Sequence, residues 1–189
     1  MEGSILKLIL IRHGEPDYSY VTERKFKGQG RDLAVLSSRG KEQAEAVSKD
    51  KRLIGADLVV SSPYTRALQT AAIISRNTGL RIEVETDLHE WIVDLDFNFD
   101  NDEYVRAVSE EATLMKGIHT ENCKYKWESF DNIAKRAYRA LYPYLKYNKV
   151  IVVSHGMVMR QFKFQKEIPY CGIIELDFDE TYTWPGFVE

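Results

Sequence analysis

Residues 5–16 read ILKLILIRHGEP, and this stretch decides the fold. Six of the seven side chains of Ile5–Ile11 are apolar, and Lys7 is the one interruption. A short apolar run without alternation suits a strand buried on both faces of a parallel sheet. Such a strand must be covered by helices, and it delivers whatever follows it, here Arg12-His13-Gly14-Glu15, to the rim of the sheet. Runs of the same kind recur at Asp57–Val60, Arg81–Glu85, Lys149–Val153 and Ile173–Phe178, and all are read as candidate parallel strands.

Helical patterns lie between them. Ser62-Pro63 reads as a helix start, with Ser62 as N-cap and Pro63 at the first helical position. Ala67, Ala71 and Ile74 follow at helical spacing, and Gly79 marks the stop. A second helix is expected from Ser37 or Ser38 to about Arg52. A third starts at Ser129, with Phe130, Ile133, Ala134, Ala137, Tyr138 and Leu141 as its apolar face and Pro143 at its end. Another should open after His155. Residues Asp94–Gly117 show no strand signal and read as a helical or irregular excursion, reaching to about residue 122 and covering one edge of the sheet. The alternation of strand and helix predicts an α/β protein, a three-layer α/β/α sandwich around a mostly parallel sheet, in one domain over residues 1–189.

Composition narrows the partners. The 189 residues are 44% apolar and 29% charged, as in ordinary globular proteins, and the formal net charge of −3 speaks against nucleic acid. The apolar run at Ile5–Ile11 is too short to cross a membrane and lacks the basic flank of a signal peptide, so no membrane partner and a cytoplasmic location are expected. Cys123 and Cys171 stand far apart in no metal-like spacing and read as reduced thiols. Oligomeric state is open.

The chemistry is expected where ligands bind open parallel sheets, beyond the carboxyl ends of the strands. Those positions hold Arg12 and His13, then Ser61-Ser62 with Arg66 one helical turn on, then His89-Glu90-Trp91, then Ser154-His155-Gly156. Two arginines, two histidines and a glutamate thus converge with two helix N-termini. Arginine forks and helix N-termini match phosphate oxygens. A histidine among such cations is held neutral, so a ring nitrogen is free to attack, and a carboxylic acid can protonate the departing oxygen.

Arg12-His13-Gly14-Glu15, Ser61-Ser62-Pro63-x-x-Arg66-Ala67-x-Gln69-Thr70-Ala71 and Val153-Ser154-His155-Gly156 together resemble the histidine phosphatase superfamily, the phosphoglycerate mutase-like proteins. Leu36-Ser37-x-x-Gly40-x-x-Gln43-Ala44 is similar to that family's helix opening. The resemblance implies a phosphorylated nucleophile at His13, a phosphoryl clamp of Arg12, Arg66 and His155, and Glu90 as acid and then base. It further implies substrate contacts from Ser19, Gly28, Gln29 and Gly156, and no metal or other cofactor. Two departures stand out. Pro16 and Ser19 occupy positions where family members place other polar groups against phosphate, and Leu88-His89-Glu90-Trp91 differs from the surroundings of the acid in typical phosphoglycerate mutases. The second departure, together with a chain shorter than those mutases, favours a phosphatase, and a small phosphorylated metabolite is the expected substrate. A mutase and a non-catalytic phospholigand-binding module are the alternatives.

Two metal readings are set aside. Asp96-x-Asn98-x-Asp100 imitates a calcium loop, but Asn101 and Ala107 stand where glycine and glutamate are needed. His13, His155 and Glu90 are zinc-ligand types, but the neighbouring arginines would repel a dication.

Overall fold

The computed structural model describes residues 5–184 and residue 186. Seven strands occur among them: β1 Leu6–Arg12, β2 Pro16–Asp17, β3 Val35–Leu36, β4 Leu58–Ser61, β5 Ile82–Val84, β6 Lys149–Ser154 and β7 Ile173–Phe178. Six α-helices join them: α1 Ser19–Glu23, α2 Ser38–Val47, α3 Thr65–Thr78, α4 Asp102–Leu114, α5 Phe130–Leu141 and α6 Gly156–Phe162. The main sheet has the order β5-β4-β6-β1-β7, and β2 pairs with β3 apart from it.

Side chains alternate across that sheet and divide the core in two. Leu6, Leu8, Leu10, Leu58, Val60, Val150 and Val152 face α5, α6 and part of α4, whereas Ile9, Ile11, Val59, Ile151 and Val153 face α3 and the end of α2. Helices on both faces explain why β1, β4 and β6 carry almost no polar side chains. The three-layer sandwich with a mostly parallel sheet is therefore as expected.

Some local expectations need correction. β7 runs antiparallel to β1, as an edge strand whose outward positions include Glu175 and Asp177. Both acids pair with Lys7 of β1. The helix after Ser62-Pro63 begins at Thr65, not Pro63, and its N-cap is Tyr64 with no side-chain cap, because the Ser62 hydroxyl is engaged by His155. The helix from Ser38 ends at Val47, and Lys51–Leu53 form a separate 3-10 turn. Ser129 does cap α5 by accepting from Asn132 N–H, and Gly79 ends α3 at φ 74°, a left-handed conformation that glycine adopts without strain.

The excursion is helical in its second half. Buried Asp94 gathers the N–H groups of Asp96, Asn98 and Phe99 on its carboxylate, and Asn101 then caps α4. Asp96 pairs with Lys126 at the surface. Among the described residues no group of three or more His, Cys, Asp or Glu side chains is arranged to hold a metal ion, and no helix is long and apolar enough to cross a membrane. Cys123 and Cys171 are free thiols.

Candidate active site

Strand register brings the site together. Arg12 pairs with Ser154 and Ser61 with Val153, so the residues leaving β1, β4 and β6 emerge side by side. His13 N–H continues the ladder by donating to Ser154 O at 3.0 Å, and the His13 and His155 rings lie 5.0 Å apart.

The turn after β1 is fixed by residues of the motifs themselves. Gly14 and Gly40 approach so closely that a Cβ on Gly14 would lie 2.5 Å from Gly40 O. Gly14 N–H donates to the Thr70 hydroxyl at 3.0 Å and Glu15 N–H to Gln43 Oε1 at 2.9 Å. Ser37 donates its hydroxyl to the Glu15 carboxylate at 2.8 Å, and Leu36 N–H donates to Gln69 Oε1 at 2.6 Å. Gly40, Gln43, Gln69 and Thr70 are thus a scaffold that holds the His13 turn.

His13 is almost wholly buried, and its Nδ1–H donates to Gly14 O at 2.7 Å. That bond fixes the tautomer and leaves Nε2 unprotonated, its lone pair accepting from Arg66 Nε at 3.2 Å. Burial, reinforced by Arg66 and Arg12 and opposed by the Gly14 carbonyl, lowers the His13 pKa well below 6.5. The ring is neutral, with its proton on Nδ1 and Nε2 unprotonated.

Arg66, expected at the rim, is only 3% exposed and forms a 2.9 Å ion pair with Asp32. Burial raises the Asp32 pKa, against the lowering influence of Arg66. The Arg12 guanidinium donates to Ile168 O at 2.5 Å and lies 4.3 Å above the Tyr170 ring, while its Nε is buried with no partner among the described residues. His155 is fully buried, and burial, aided by Arg66 and His13, also lowers its pKa well below 6.5. Ser62 Oγ accepts from Tyr64 N–H and lies 2.7 Å from His155 Nε2. Either group can supply the proton of that bond, and His155 Nδ1 is a second buried nitrogen without a partner among the described residues.

Glu90 sits on a loop held by a buried ion pair. Arg136 of α5 binds Glu128 through two hydrogen bonds of 2.6 and 2.9 Å. Its remaining donors reach the carbonyls of Asp87, His89 and Glu90 at 2.5, 2.8 and 3.2 Å. Glu128 also accepts from Ile92 N–H and, through its backbone carbonyl, from the Trp91 indole. The Glu90 carboxylate accepts from Trp91 N–H at 2.8 Å and lines the same cavity as His13.

That cavity has a volume of about 820 Å³. Arg12, His13, Arg66, Glu90, Tyr18 and Tyr170 form one part of its wall, and Pro16 lies beside them. Arg160 and Lys166, on and just after α6, add two further cations. Val105, Ser109 and Thr113 of α4 make the excursion a wall of the cavity. Gly156 opens α6 against Arg12, where a Cβ would sit 3.7 Å from the Arg12 Nε. Gln29 is exposed and lines an adjoining space of about 260 Å³ that also touches Tyr18, Asp32, Arg66 and Glu90.

None of the four expected substrate contacts lines the 820 Å³ cavity itself, and two of them are taken up by local structure. Ser19 is exposed, outside the cavity wall, and its N–H donates to Asp17. Gly28, at φ 51°, donates its N–H to Phe99 O and packs so closely on Phe97 that it joins its loop to the excursion. Asp32, Tyr18, Tyr170, Arg160 and Arg136 were missed. They lie in no strand-end motif, so no local pattern marks them.

The profile of the histidine phosphatase superfamily, branch 1, matches residues 8–165. The chain belongs to this superfamily. Among relatives of this superfamily member, the Enterobacter sp. (strain 638) protein named "Probable phosphoglycerate mutase GpmB" is 29% identical over 164 residues, covering 82% of this chain and 72% of the relative. The solved structure of mycobacterial glucosyl-3-phosphoglycerate phosphatase superposes with a TM-score of 0.69 at 22% identity, over 92% of this chain and 90% of the other. That of phosphoglycerate mutase from Bacillus anthracis str. Sterne gives 0.71 at 17% identity, over 98% and 93%. At such identities the two structures bear on the fold alone, and the superfamily includes both phosphatases and mutases.

Proposed function

We propose that this superfamily member is a phosphatase that hydrolyses a phosphomonoester through a phosphohistidine on His13, with no metal. The observation that carries the reading is the pair of buried nitrogens without partners among the described residues, Arg12 Nε and His155 Nδ1, beside a neutral His13 whose unprotonated Nε2 accepts from Arg66. The Arg12 Nε–H is a buried donor left unpaired at a cost, and an anion bound beside it removes that cost.

The steps follow from the geometry. Arg12, Arg66 and His155 bind the phosphoryl oxygens, and Arg66 Nε turns from His13 to the incoming anion. His13 Nε2 forms a bond to phosphorus as the ester P–O bond breaks, and protonated Glu90 gives its proton to the departing alkoxide. A water then attacks the phosphohistidine, Glu90 takes back a proton, the P–N bond breaks, and phosphate leaves with His13 neutral again. Gln29 borders the adjoining space, and Gly156 lies against Arg12.

A mutase reading draws support from the name of the Enterobacter relative. It requires phosphoryl return to a bound sugar acid in place of transfer to water. A non-catalytic binding module would hold phosphate without turnover. One experiment separates the three: release of phosphate from an aryl phosphate, with and without a chelator and with vanadate as competitor. Metal-independent release inhibited by vanadate is expected. Loss of activity on chelation, restored by a divalent ion, would replace this reading with a metallophosphatase.

A further inference from the structure

The cavity is far larger than a phosphoryl group, and its two parts differ in chemistry. Around His13 stand Arg12, Arg66 and Tyr170, whereas Arg160 reaches Met157 Sδ at 3.3 Å, beside the apolar wall. Elsewhere the wall is Trp91, Val93, Val105, Phe130, Met157 and Phe164. The Trp91 indole N–H is turned away to Glu128 O, so the ring offers the cavity only its hydrocarbon.

The two hydroxyls on this wall have spent their protons. Ser109 Oγ donates to Val105 O at 2.7 Å and Thr113 Oγ1 to Ser109 O at 2.8 Å, each back along α4. No cation of α4 lines the cavity. A sugar or glycerate held against α4 would bring hydroxyl and carboxylate groups to a face with no cation and no hydroxyl proton to offer them. Burying polar groups without partners is unfavourable, whereas burying hydrocarbon on such a wall is favourable.

We infer that the chamber formed by α4, Trp91, Phe130, Met157 and Phe164 binds the leaving group, and that the substrate is the phosphomonoester of a bulky apolar alcohol. The inference rests on the phosphatase reading for its anion seat. Arg160 and Lys166 raise the positive potential that draws the phosphate in, and Val105, Ser109 and Thr113 set specificity.

A homologous series of n-alkyl phosphates, ethyl to octyl, tests this, because the leaving oxygen is chemically the same throughout. Each methylene buried should raise kcat/KM roughly threefold to fourfold, so hexyl phosphate should exceed ethyl phosphate roughly 100-fold. Glycerol phosphate and 3-phosphoglycerate should fall near or below ethyl phosphate. The matching alkylphosphonates, which cannot be hydrolysed, should bind with affinities that rise along the same series. Val105→Thr, nearly the same shape with a hydroxyl added, should flatten the dependence on chain length. Flat series for both turnover and phosphonate binding would overturn the inference, as would a preference for 3-phosphoglycerate. Phosphonate affinity that climbs with chain length while no phosphate is released from any ester would uphold the chamber and overturn the hydrolase reading instead.

Discussion

Replacing Arg136 by methionine tests how the loop carrying Glu90 is held. The methionine keeps the apolar stem and removes five donors that serve Glu128 and the carbonyls of Asp87, His89 and Glu90. Both side chains of the ion pair are nearly inaccessible, at 11% and 8%, so water cannot replace the lost partner. Breaking a buried pair on one side costs roughly 3–5 kcal/mol, because the other charge stays buried and unpaired. In a chain of this length that is a fall in Tm of roughly 6–20 °C. Urea unfolding followed by tryptophan fluorescence measures it, with Trp91 and Trp127 both close to this loop. Adding Glu128→Gln removes the stranded charge and should recover at least about 1 kcal/mol of the loss. In activity, substrates with poor leaving groups should suffer more than aryl phosphates, because they depend on a well-placed Glu90. An Arg136→Met protein within about 1 kcal/mol of the parent, or a double variant with merely additive losses, would refute the assignment of Arg136 as the anchor of that loop.

Arg66→Ala should lower kcat/KM by roughly 30- to 1000-fold, the loss of about 2–4 kcal/mol of transition-state stabilisation. It should also destabilise the fold by stranding Asp32, and Asp32→Asn should restore stability but not activity in the double variant. Gly14→Ala puts a methyl 2.5 Å from Gly40 O, a backbone atom, and should cost roughly 1–3 kcal/mol by denaturation together with a loss of kcat as the His13 turn shifts. Acidification provides a further test. His13 and His155 have folded pKa values well below 6.5, so below pH 6.5 the unfolded chain binds more protons than the folded one. Stability should therefore fall with falling pH, by at most about 1.4 kcal/mol per pH unit for each histidine, and His13→Asn should remove part of that slope. A slope unchanged in His13→Asn would mean that His13 titrates normally.

The sheet was legible because β1, β4 and β6 are buried on both faces and so read as near-continuous apolar runs. The direction of β7 was not, since Ile173–Phe178 carries the same residue types whichever way it pairs, and only the salt bridges of Lys7 with Glu175 and Asp177 mark it as an exposed edge. Caps that act within four residues, Ser129 and Gly79, were readable. Ser62 misled, because its hydroxyl serves a histidine 93 positions away. The same cause hides the groups that tune the site: Asp32 meets Arg66 and Arg136 meets the Glu90 loop only through tertiary contact. His13, Arg12, Arg66, Glu90 and His155 were legible because parallel strands deliver whatever ends them to one rim. Ser19 and Gly28 came from the resemblance alone, and this chain puts both to local structural use.

The central claim is a covalent phosphohistidine at one ring nitrogen of one residue, and trapping it is the direct measurement. Glu90→Gln slows the second step by removing the base, while an aryl phosphate needs little help from the acid in the first. Rapid quench of this variant with labelled aryl phosphate should give a burst near one equivalent, acid-labile and alkali-stable, absent in His13→Ala. Alkaline digestion and chromatography of the phosphoamino acids should then yield the Nε2 isomer, because Nδ1 is held by the Gly14 carbonyl. Label on Nδ1, on a serine such as Ser62, or on no residue at all while phosphate is still released would contradict the account.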